Sequence, residues 1–259
     1  MTSTVATTAL KLGVVGKGGV GKTTFAGLLA RAYSESGRRV VAIDTDSNPN
    51  LGLSLGLSLP ETEAVPVLPR SVLVGGAGST SAQDLVADFG RPTPAGPTLL
   101  SAIRVAEAGA GCTCSGHATV RNLLSDALAD IDVTLVDMEA GLEHLSRSGG
   151  TLAYADVLLV VCEMTRKSVL TANRTAALAA ELGIPHVLAV GNKARTDDDT
   201  EFFRQSLKAE RIPLAGVLNY DDVIAAADRA GTVGLPAITQ AARKTLAAVV
   251  AAVDAAVGG

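Results

Sequence analysis

The amino-acid sequence predicts an α/β fold that is doubly wound, with helices on both faces of a mostly parallel sheet. Short runs of β-branched and other apolar residues recur along the 259-residue chain, at 40–43, 133–136, 157–161 and 187–190. These runs are continuous and do not alternate with polar residues, which is typical of strands covered on both faces. Helix-like segments lie between them, and the segment 165–182 stops at Gly183 and Pro185, which are common residues after a helix. Strands that alternate with helices in this way favour the doubly wound arrangement.

The first predicted strand runs directly into a glycine-rich segment, Gly16-Lys17-Gly18-Gly19-Val20-Gly21-Lys22-Thr23-Thr24. This segment fits the pattern G-x-x-x-x-G-K-[ST], and apolar residues at helical spacing follow it. Such a loop directs backbone N–H groups at phosphate oxygens, Lys22 can reach the β- and γ-phosphates, and the Thr23 hydroxyl can bind Mg²⁺. The strand and the helix around it favour a P-loop over a glycine-rich turn that matches by accident, so the fold is expected to be that of a P-loop NTPase.

Acidic residues follow two of the other predicted strands. Asp44-Thr45-Asp46 comes after the run at 40–43, and Asp137-Met138-Glu139-Ala140-Gly141 comes after the run at 133–136. Ligands of doubly wound sheets bind beyond the carboxyl ends of the strands, where the P-loop also lies. A carboxylate there can hold Mg²⁺, directly or through water, and another can orient the attacking water. For each acid alone, the alternative is a helix-capping or loop-solvating role.

Lys17, directly after the first glycine, is not required by the general P-loop pattern. With it, K-G-G-V-G-K-T-T resembles the deviant P-loop of the MinD/ParA/nitrogenase iron protein class, whose members work as nucleotide-sandwich dimers. The resemblance implies that Lys17 crosses to the partner's nucleotide and stabilises charge that develops during phosphoryl transfer. A solvated charge at the mouth of the loop is the alternative for this residue.

The same class resemblance assigns roles to the carboxylates. It implies that Asp46 activates the attacking water, that Asp44 belongs to the Mg²⁺ shell, and that Asp137 with Gly141 senses the γ-phosphate. We expect Lys17, Lys22 and Asp46 to be catalytic. The Mg²⁺ ligands are expected to be Thr23, Asp44 and Asp137.

One segment bears on the choice of base. Asn192-Lys193-Ala194-Arg195 begins like the guanine-binding N-K-x-D, but Arg195 stands where an aspartate would accept hydrogen bonds from guanine. Adenine is therefore the expected base, and ATP and Mg²⁺ the expected cofactors. The class resemblance assigns Asn192 to the base pocket, so the expected nucleotide-binding residues are this one and the loop from Gly16 to Thr24. An asparagine after a strand can also be a simple turn residue.

Two of the three cysteines stand together in Gly111-Cys112-Thr113-Cys114-Ser115-Gly116, between a predicted strand at 99–105 and a helix expected to begin near Ala118. Two thiolates one residue apart can share a metal but do not complete a tetrahedral S₄ site, which a two-fold dimer would complete by supplying the same loop twice. A redox-sensitive pair or inert loop cysteines are the alternatives. The lone Cys162, in an apolar run, is expected to be a buried small hydrophobe.

G-C-T-C followed by R-N-L-L, together with D-M-E-A-G-L-E-H-L from Asp137, resembles the CooC-type ATPases that mature nickel-dependent carbon monoxide dehydrogenase. The resemblance implies that Cys112 and Cys114 bind Ni²⁺ or Zn²⁺ at a homodimer interface, and that ATP-driven rearrangement serves nickel insertion into a client enzyme. His144 matches the family stretch without a role that we can derive. His117 is either an extra ligand or, as we expect, a solvent-facing residue at a helix start, and His186 is expected to be structural.

The remaining features set bounds on the molecule. We expect a single domain over residues 1–259, with a variable surface excursion at about 59–97 that holds one short helix at 81–89. The alanine- and valine-rich helix at 237–257 is expected to pack on the sheet and not to anchor in a membrane. A net charge of −4 and a pI near 5.4 give no general drive toward nucleic acid. Without an export signal or an apolar span, the expected location is the cytoplasm.

Two other functional classes stay open at this point. One is a MinD/ParA-like switch that positions a partner on a membrane or on DNA, with the cysteines incidental. The other is an electron-transfer reductase like the nitrogenase iron protein, in which C-x-C pairs from two subunits hold an Fe–S cluster.

Overall fold

The computed structural model describes residues 9–69, 81–104, 114–125, 131–140, 150–230, 235 and 237–258. In this part of the chain the sheet has eight strands in the order β3-β4-β2-β5-β1-β6-β7-β8. Neighbouring strands are parallel, except that β3 runs antiparallel to β4. The strands are β1 (Leu10–Val15), β2 (Val40–Asp44), β3 (Arg91–Pro92), β4 (Thr98–Ser101), β5 (Val133–Asp137), β6 (Val157–Cys162), β7 (His186–Ala194) and β8 (Leu214–Asn219). The predicted fold class is confirmed.

Helices connect the strands and cover the sheet. Those in the described ranges are α1 (Lys22–Glu35), α2 (Leu51–Ser54), α3 (Leu59–Glu63), α4 (Ala82–Phe89), α5 (Cys114–Ser125), α6 (Arg166–Glu181), α7 (Asp197–Ala209), α8 (Asp222–Ala230) and α9 (Gln240–Gly258). Local signals fix several of their ends. The Thr165 hydroxyl caps α6, and Thr196 forms a capping box with Asp199 at the start of α7.

The strands are apolar on both faces, as their continuous runs predict. In β2, Val40 and Ala42 belong to one buried cluster, whereas Val41 and Ile43 belong to the other. The first cluster includes side chains from α1 and α9, and the second includes side chains from α5, α6 and α7. Because successive side chains of a strand point to opposite faces, this division places helices on both sides of the sheet.

Several predicted elements differ in extent from the observed ones. The strand expected at 99–105 covers Thr98–Ser101, and the helix expected near Ala118 begins at Cys114. The region at 59–97 contains α3 and β3 besides the predicted helix α4, and it buries Val65, Leu68 and Leu85. In its described part, this region therefore contributes to the core as well as to the surface.

The C-terminal helix α9 packs on the sheet. Its buried side chains are Ala242, Leu246, Val249 and Val253, one every three or four residues. The spacing places one stripe of the helix against the core. No described helix combines the length and the apolar character that a membrane span requires.

Strand β1 lies at the centre of the sheet, between β5 and β6. The strands that follow β1 in sequence, up to β5, lie to one side of it in the strand order. The later strands β6, β7 and β8 lie to its other side. A crevice opens beyond the carboxyl ends of the strands where the direction of winding changes. The loop that follows β1 lies at this point.

We predict that α9 is held by its buried stripe. The Val249 side chain lies over Gly216 of β8 and is fully buried, whereas Val257 near the end of the same helix is 42% exposed. Val249→Ala should lower the free energy of unfolding by about 2 kcal/mol, because it removes two buried methyl groups and leaves a cavity. The matched change Val257→Ala should alter it by less than about 0.5 kcal/mol. Urea denaturation measures both, and equal effects would contradict the packing described here.

Candidate functional site

The P-loop needs its glycines for the shape that it adopts. Gly16, Gly19 and Gly21 have φ angles of 147°, 81° and 93°, a region that favours glycine. A Cβ atom at Gly16 would lie 2.5 Å from the Val161 carbonyl oxygen, and one at Gly21 would lie 2.5 Å from Asn192 Nδ2. The loop therefore fits against the ends of β6 and β7 only because Gly16 and Gly21 lack side chains.

Three side chains, two of lysine and one of asparagine, donate hydrogen bonds to the backbone of the loop. Lys22 Nζ donates to the Lys17 carbonyl oxygen across the loop at 3.3 Å. Asn192 Nδ2 donates to the carbonyl oxygen of Val20 at 2.8 Å, and Lys193 Nζ donates to that of Gly19 at 2.7 Å. The end of β7 thus braces the loop from one side.

The predicted base-pocket residue Asn192 lines the same cavity as the loop. Its amide group is engaged with the protein, however, because Nδ2 bonds the loop and Oδ1 accepts from the Lys193 N–H at 2.9 Å. In this arrangement Asn192 positions the P-loop. Lys193 was not singled out by the sequence analysis, because a lysine in a strand carries no local signal for such a contact.

Two carboxylates lie side by side at the ends of β2 and β5, where Asp44 and Asp137 are register partners. Both are buried, at 1% and 2% exposure. Burial raises the pKa of Asp44 to about 6. Burial, reinforced by the charge of Asp44, raises the pKa of Asp137 to about 8. Burial also lowers the pKa of Lys22, against the opposing effect of Asp137, Asp46 and Glu139.

This cluster fits a bound cation. Thr23 forms a side-chain hydrogen bond with Asp137, but the Asp137 Oδ1 atom is buried without a hydrogen-bond partner in the described part of the chain. Each Asp44 oxygen already accepts a backbone N–H, from Asp46 at 3.0 Å and from Leu51 at 2.8 Å. A buried carboxylate oxygen with no donor is suited to Mg²⁺, which prefers oxygen ligands. Asp137 is therefore the strongest candidate ligand.

The loops after β2 and β5 are joined to each other. Thr45 Oγ1 donates to the Asp137 carbonyl oxygen at 2.8 Å, and Ser47 Oγ donates to Glu139 Oε1 at 3.2 Å. Between them, Asp46 is partly exposed, lines the cavity with the P-loop, and accepts the Asn48 N–H through Oδ1 at 2.9 Å. Its second carboxylate oxygen has no hydrogen-bond partner among the described residues and can therefore orient water.

Lys17 is in a different setting from Lys22. Its side chain is 46% exposed, and its Nζ atom lies 3.8 Å from Oε1 of Glu163, just beyond the end of β6. This contact is within the same chain. An exposed ion pair at this distance contributes little free energy, typically about 0 to 1 kcal/mol.

A cavity of about 610 Å³ extends from the P-loop to α8. Besides the loop, it is lined by residues that the sequence analysis missed. They include, at the end of β8 and directly after it, Asn219, Tyr220 and Asp221, and in α8, Asp228 and Arg229. Their only sequence signal is their position after a strand of a parallel sheet, where ligands bind. The cavity leaves room for a nucleoside beyond a triphosphate held by the loop.

The predicted metal site lies mostly outside the described residues. Cys112, Gly141 and His144 are not among them, and the description of Cys114 is limited to its place as the first residue of α5. Apart from the Asp44 and Asp137 pair described above, the described ranges contain no group of three or more His, Cys, Asp or Glu side chains that could hold a metal. Cys162 is fully buried, as predicted, and burial raises the pKa of its thiol to about 11.

The expectation that His117 faces solvent is wrong, because this residue is only 4% exposed. The helix begins at Cys114 and not near Ala118, so His117 falls on the same stripe as the buried Val120 and Leu124. His186 is the first residue of β7, where it is paired with Val157 of β6.

Comparisons with known proteins agree with the nucleotide-binding fold. Residues 14–233 match the family of CobQ/CobB/MinD/ParA nucleotide binding domains. The chain is 38% identical over 238 residues to the carbon monoxide dehydrogenase accessory protein CooC of Rhodospirillum rubrum, with 86% of this chain and 88% of that protein covered. An ATP-binding protein of Methanocaldococcus jannaschii is 34% identical, with 83% and 87% covered. The septum site-determining protein MinD of Pyrococcus horikoshii, solved with Mg-ADP, superimposes with a TM-score of 0.71 at 22% identity over 95% of this chain and 96% of that one.

We predict that the carboxylate pair makes the nucleotide-free protein less stable as pH rises. The pKa of Asp137 is raised from 3.8 to about 8. The contribution of Asp137 to stability is therefore complete below pH 3.8 and is lost as the pH rises to about 8. Between about pH 5 and about pH 8.5, the free energy of unfolding should fall by on the order of a few kcal/mol. Asp137→Asn should remove most of this fall, and Mg²⁺ with ATP should reduce it. The exposed control Asp198→Asn should retain it; a pH-independent wild type would contradict the prediction.

Proposed function

This chain belongs to the CobQ/CobB/MinD/ParA nucleotide-binding family and is a P-loop ATPase of the CooC type; from that premise we propose that it dimerises with ATP and handles nickel or zinc for a client metalloenzyme. The observation that carries the metal role is the C-x-C pair Cys112 and Cys114 in a chain 38% identical to CooC over most of both lengths. Because CooC is named as an accessory protein of carbon monoxide dehydrogenase, we propose an enzyme of that kind as the client.

Our proposal for hydrolysis assigns one task to each group in the site. Thr23 and Asp137, with Asp44 through its remaining lone pairs or through water, would hold Mg²⁺, which supplies neutralisation of the phosphate charge. The buried Lys22 ammonium contributes a second, fixed positive charge at the phosphates. Asp46 orients the attacking water. The support for these roles is the burial of Lys22, Asp44 and Asp137, and the contact of Lys22, Thr23 and Asp46 with the same cavity. A side-chain hydrogen bond joins Thr23 to Asp137.

Dimerisation would complete the catalytic site through Lys17. The support is the lack of a strong local partner: among the described residues, the side chain of this exposed lysine makes a single long ion pair, with Glu163. Exchanging that contact for the phosphates of a partner's nucleotide would cost about 1 kcal/mol or less. A mobile cation that reaches the site from a second copy can act on developing charge as an arginine finger does.

The cysteine pair would couple to the nucleotide through neighbouring strand ends. The chain reaches Cys112 after β4, whose last residue Ser101 is the register partner of Asp44. The Ala102 N–H donates to the Asp44 carbonyl oxygen at 2.8 Å. The connection that carries the cysteines thus begins beside a proposed Mg²⁺ carboxylate. Two copies of the chain would supply four thiolates to one metal ion, which is cargo in this scheme.

The remaining parts of the proposal concern the molecule as a whole. We propose a single ATPase domain that acts in the cytoplasm as a homodimer, without a nucleic-acid or membrane partner. A MinD/ParA-like switch without a metal role is the alternative, and the metal experiment below separates the two.

We predict that Lys17→Ala lowers kcat for ATP hydrolysis by about 100-fold or more, because it removes a charge that acts on the transition state. The affinity for ATP should change little, since Lys22 and the loop backbone stay in place. Lys208→Ala, an exposed change on α7, should leave both quantities unaltered. A variant that loses ATP affinity and kcat in parallel would indicate a local binding role for Lys17 instead.

We predict that the protein binds about one Ni²⁺ or Zn²⁺ per two chains, and that Cys112→Ser with Cys114→Ser abolishes this binding. Cys162→Ala is the matched control, because Cys162 is fully buried and should not contribute a ligand. Equilibrium dialysis with metal analysis, with and without ATP, measures the stoichiometry. Metal binding that survives the double serine variant would overturn the metal role, and nucleotide-dependent sedimentation with liposomes or DNA would favour the switch.

A further inference from the structure

Tyr220 is the residue directly after β8, and it lines the cavity that begins at the P-loop. Its backbone N–H donates to the Ala194 carbonyl oxygen at the end of β7 at 2.7 Å. The backbone at this point is therefore tied to the same strand end that braces the phosphate loop. Tyr220 is partly exposed, so its ring is neither buried in the core nor fully in solvent.

The Tyr220 ring is held by a cation. The Arg195 guanidinium carbon lies 3.7 Å from the ring centroid, which is a close stacking contact. The Arg195 backbone is itself fixed, because its N–H donates to Asp199 Oδ2 at 2.7 Å, and Asp199 is part of the capping box of α7. A planar guanidinium that lies against one side of a ring restricts its orientation and leaves the opposite side for another contact.

We infer that Tyr220 is the surface on which the nucleotide base stacks, and that Arg195 is a positioning residue that holds the ring for this purpose. The inference rests on the ATPase site described above. With the triphosphate at Lys22 and Thr23, the base extends into the part of the cavity toward α8. Among the described residues that line it, the aromatic ones are Phe25 and Tyr220, and Phe25 is only 1% exposed within the core. Tyr220 is thus the aromatic ring available to a base.

The inference also gives a role to Arg195, which the departure from N-K-x-D left without one. An aspartate at this position would accept hydrogen bonds from the edge of guanine. Here the side chain instead supports an aromatic wall, which contacts the flat face of a base. Stacking on such a wall depends on the π-face that every base has. We therefore expect Tyr220 to contribute to the affinity for the nucleoside part of ATP and to contribute nothing to the affinity for the phosphates.

The test compares ATP with inorganic tripolyphosphate, which has the phosphates and no base. Tyr220→Ala should weaken Mg-ATP binding by roughly 10- to 100-fold, the range expected for the loss of one base–aromatic stack. Tripolyphosphate binding should change by less than about 2-fold. Tyr154→Ala is the matched control and should leave both affinities unaltered. Tyr154 is 51% exposed and lies just before β6, at the amino end of that strand and not at its carboxyl end. Isothermal titration calorimetry measures the affinity of each variant for both ligands.

Conservative variants keep the test decisive if Tyr220→Ala is poorly folded. Tyr220→Phe should restore most of the affinity that the alanine variant loses. The chain contains no tryptophan, so Tyr220→Trp introduces a single indole, whose fluorescence should be quenched by ATP and not by tripolyphosphate. Arg195→Ala should raise KM for ATP by roughly 3- to 10-fold with kcat nearly unchanged, and Arg195→Lys should be intermediate. The exposed Arg204→Ala is the control for the charge.

Equal losses for ATP and tripolyphosphate, or an unquenched indole, would overturn the inference, because either result would mean that the ring supports the fold and not the base. These outcomes are distinct from failure of the proposed function. If the wild-type protein binds ATP and metal as proposed but Tyr220→Ala keeps full ATP affinity, only the stacking role falls. If the wild-type protein binds no metal, the stacking result stands by itself.

Discussion

The burial of two neighbouring carboxylates beside a lysine is the constraint around which the molecule is built. The parallel register aligns the ends of β2 and β5, so Asp44 and Asp137 lie side by side at the carboxyl ends of these strands. The cost of burying two like charges is only partly offset by Lys22 and by backbone donors. The high pKa of Asp137 expresses this cost. A divalent cation adds positive charge beside the two carboxylates, and a triphosphate places its oxygens against the backbone N–H groups of the P-loop. Binding of both ligands therefore offsets the cost of burying the carboxylate pair.

Hydrogen bonds connect the carboxylate pair to the surrounding backbone. Asp44 accepts the N–H of Asp46, the residue proposed to orient water, and the N–H of Leu51 at the start of α2. The Asp137 carbonyl oxygen accepts the Thr45 hydroxyl, and the Asp44 carbonyl oxygen accepts the N–H that begins the connection to the cysteine segment. Asp44 and Asp137 are therefore hydrogen-bonded to both loops and to the exit from β4.

The sequence was sufficient for those features that depend on residues close together in the chain. The P-loop glycines, Lys22 and Thr23 form one continuous motif, and the aspartates were expected beside it because each ends an apolar strand. Contacts between distant segments could not be predicted in this way. His117 was misjudged because four residues of helix preceded the expected start, which turned its side chain inward. Lys193 and Tyr220 were missed because an isolated lysine or tyrosine has no pattern, and their roles arise only when β7 and β8 meet the P-loop.

The irregular end of β7 explains how one short segment serves both ends of a nucleotide. In a regular strand, Asn192 and Lys193 would point to opposite faces of the sheet. Pairing with β8 shifts in register between Gly191 and Ala194, and Lys193 has a left-handed φ of 63°. A bulge of this kind redirects side chains, so both residues contact the P-loop. Two residues later, Arg195 lies over Tyr220. The strand end thereby sets the separation between the phosphate loop and the proposed base wall, and a purine nucleotide must match that separation to occupy both.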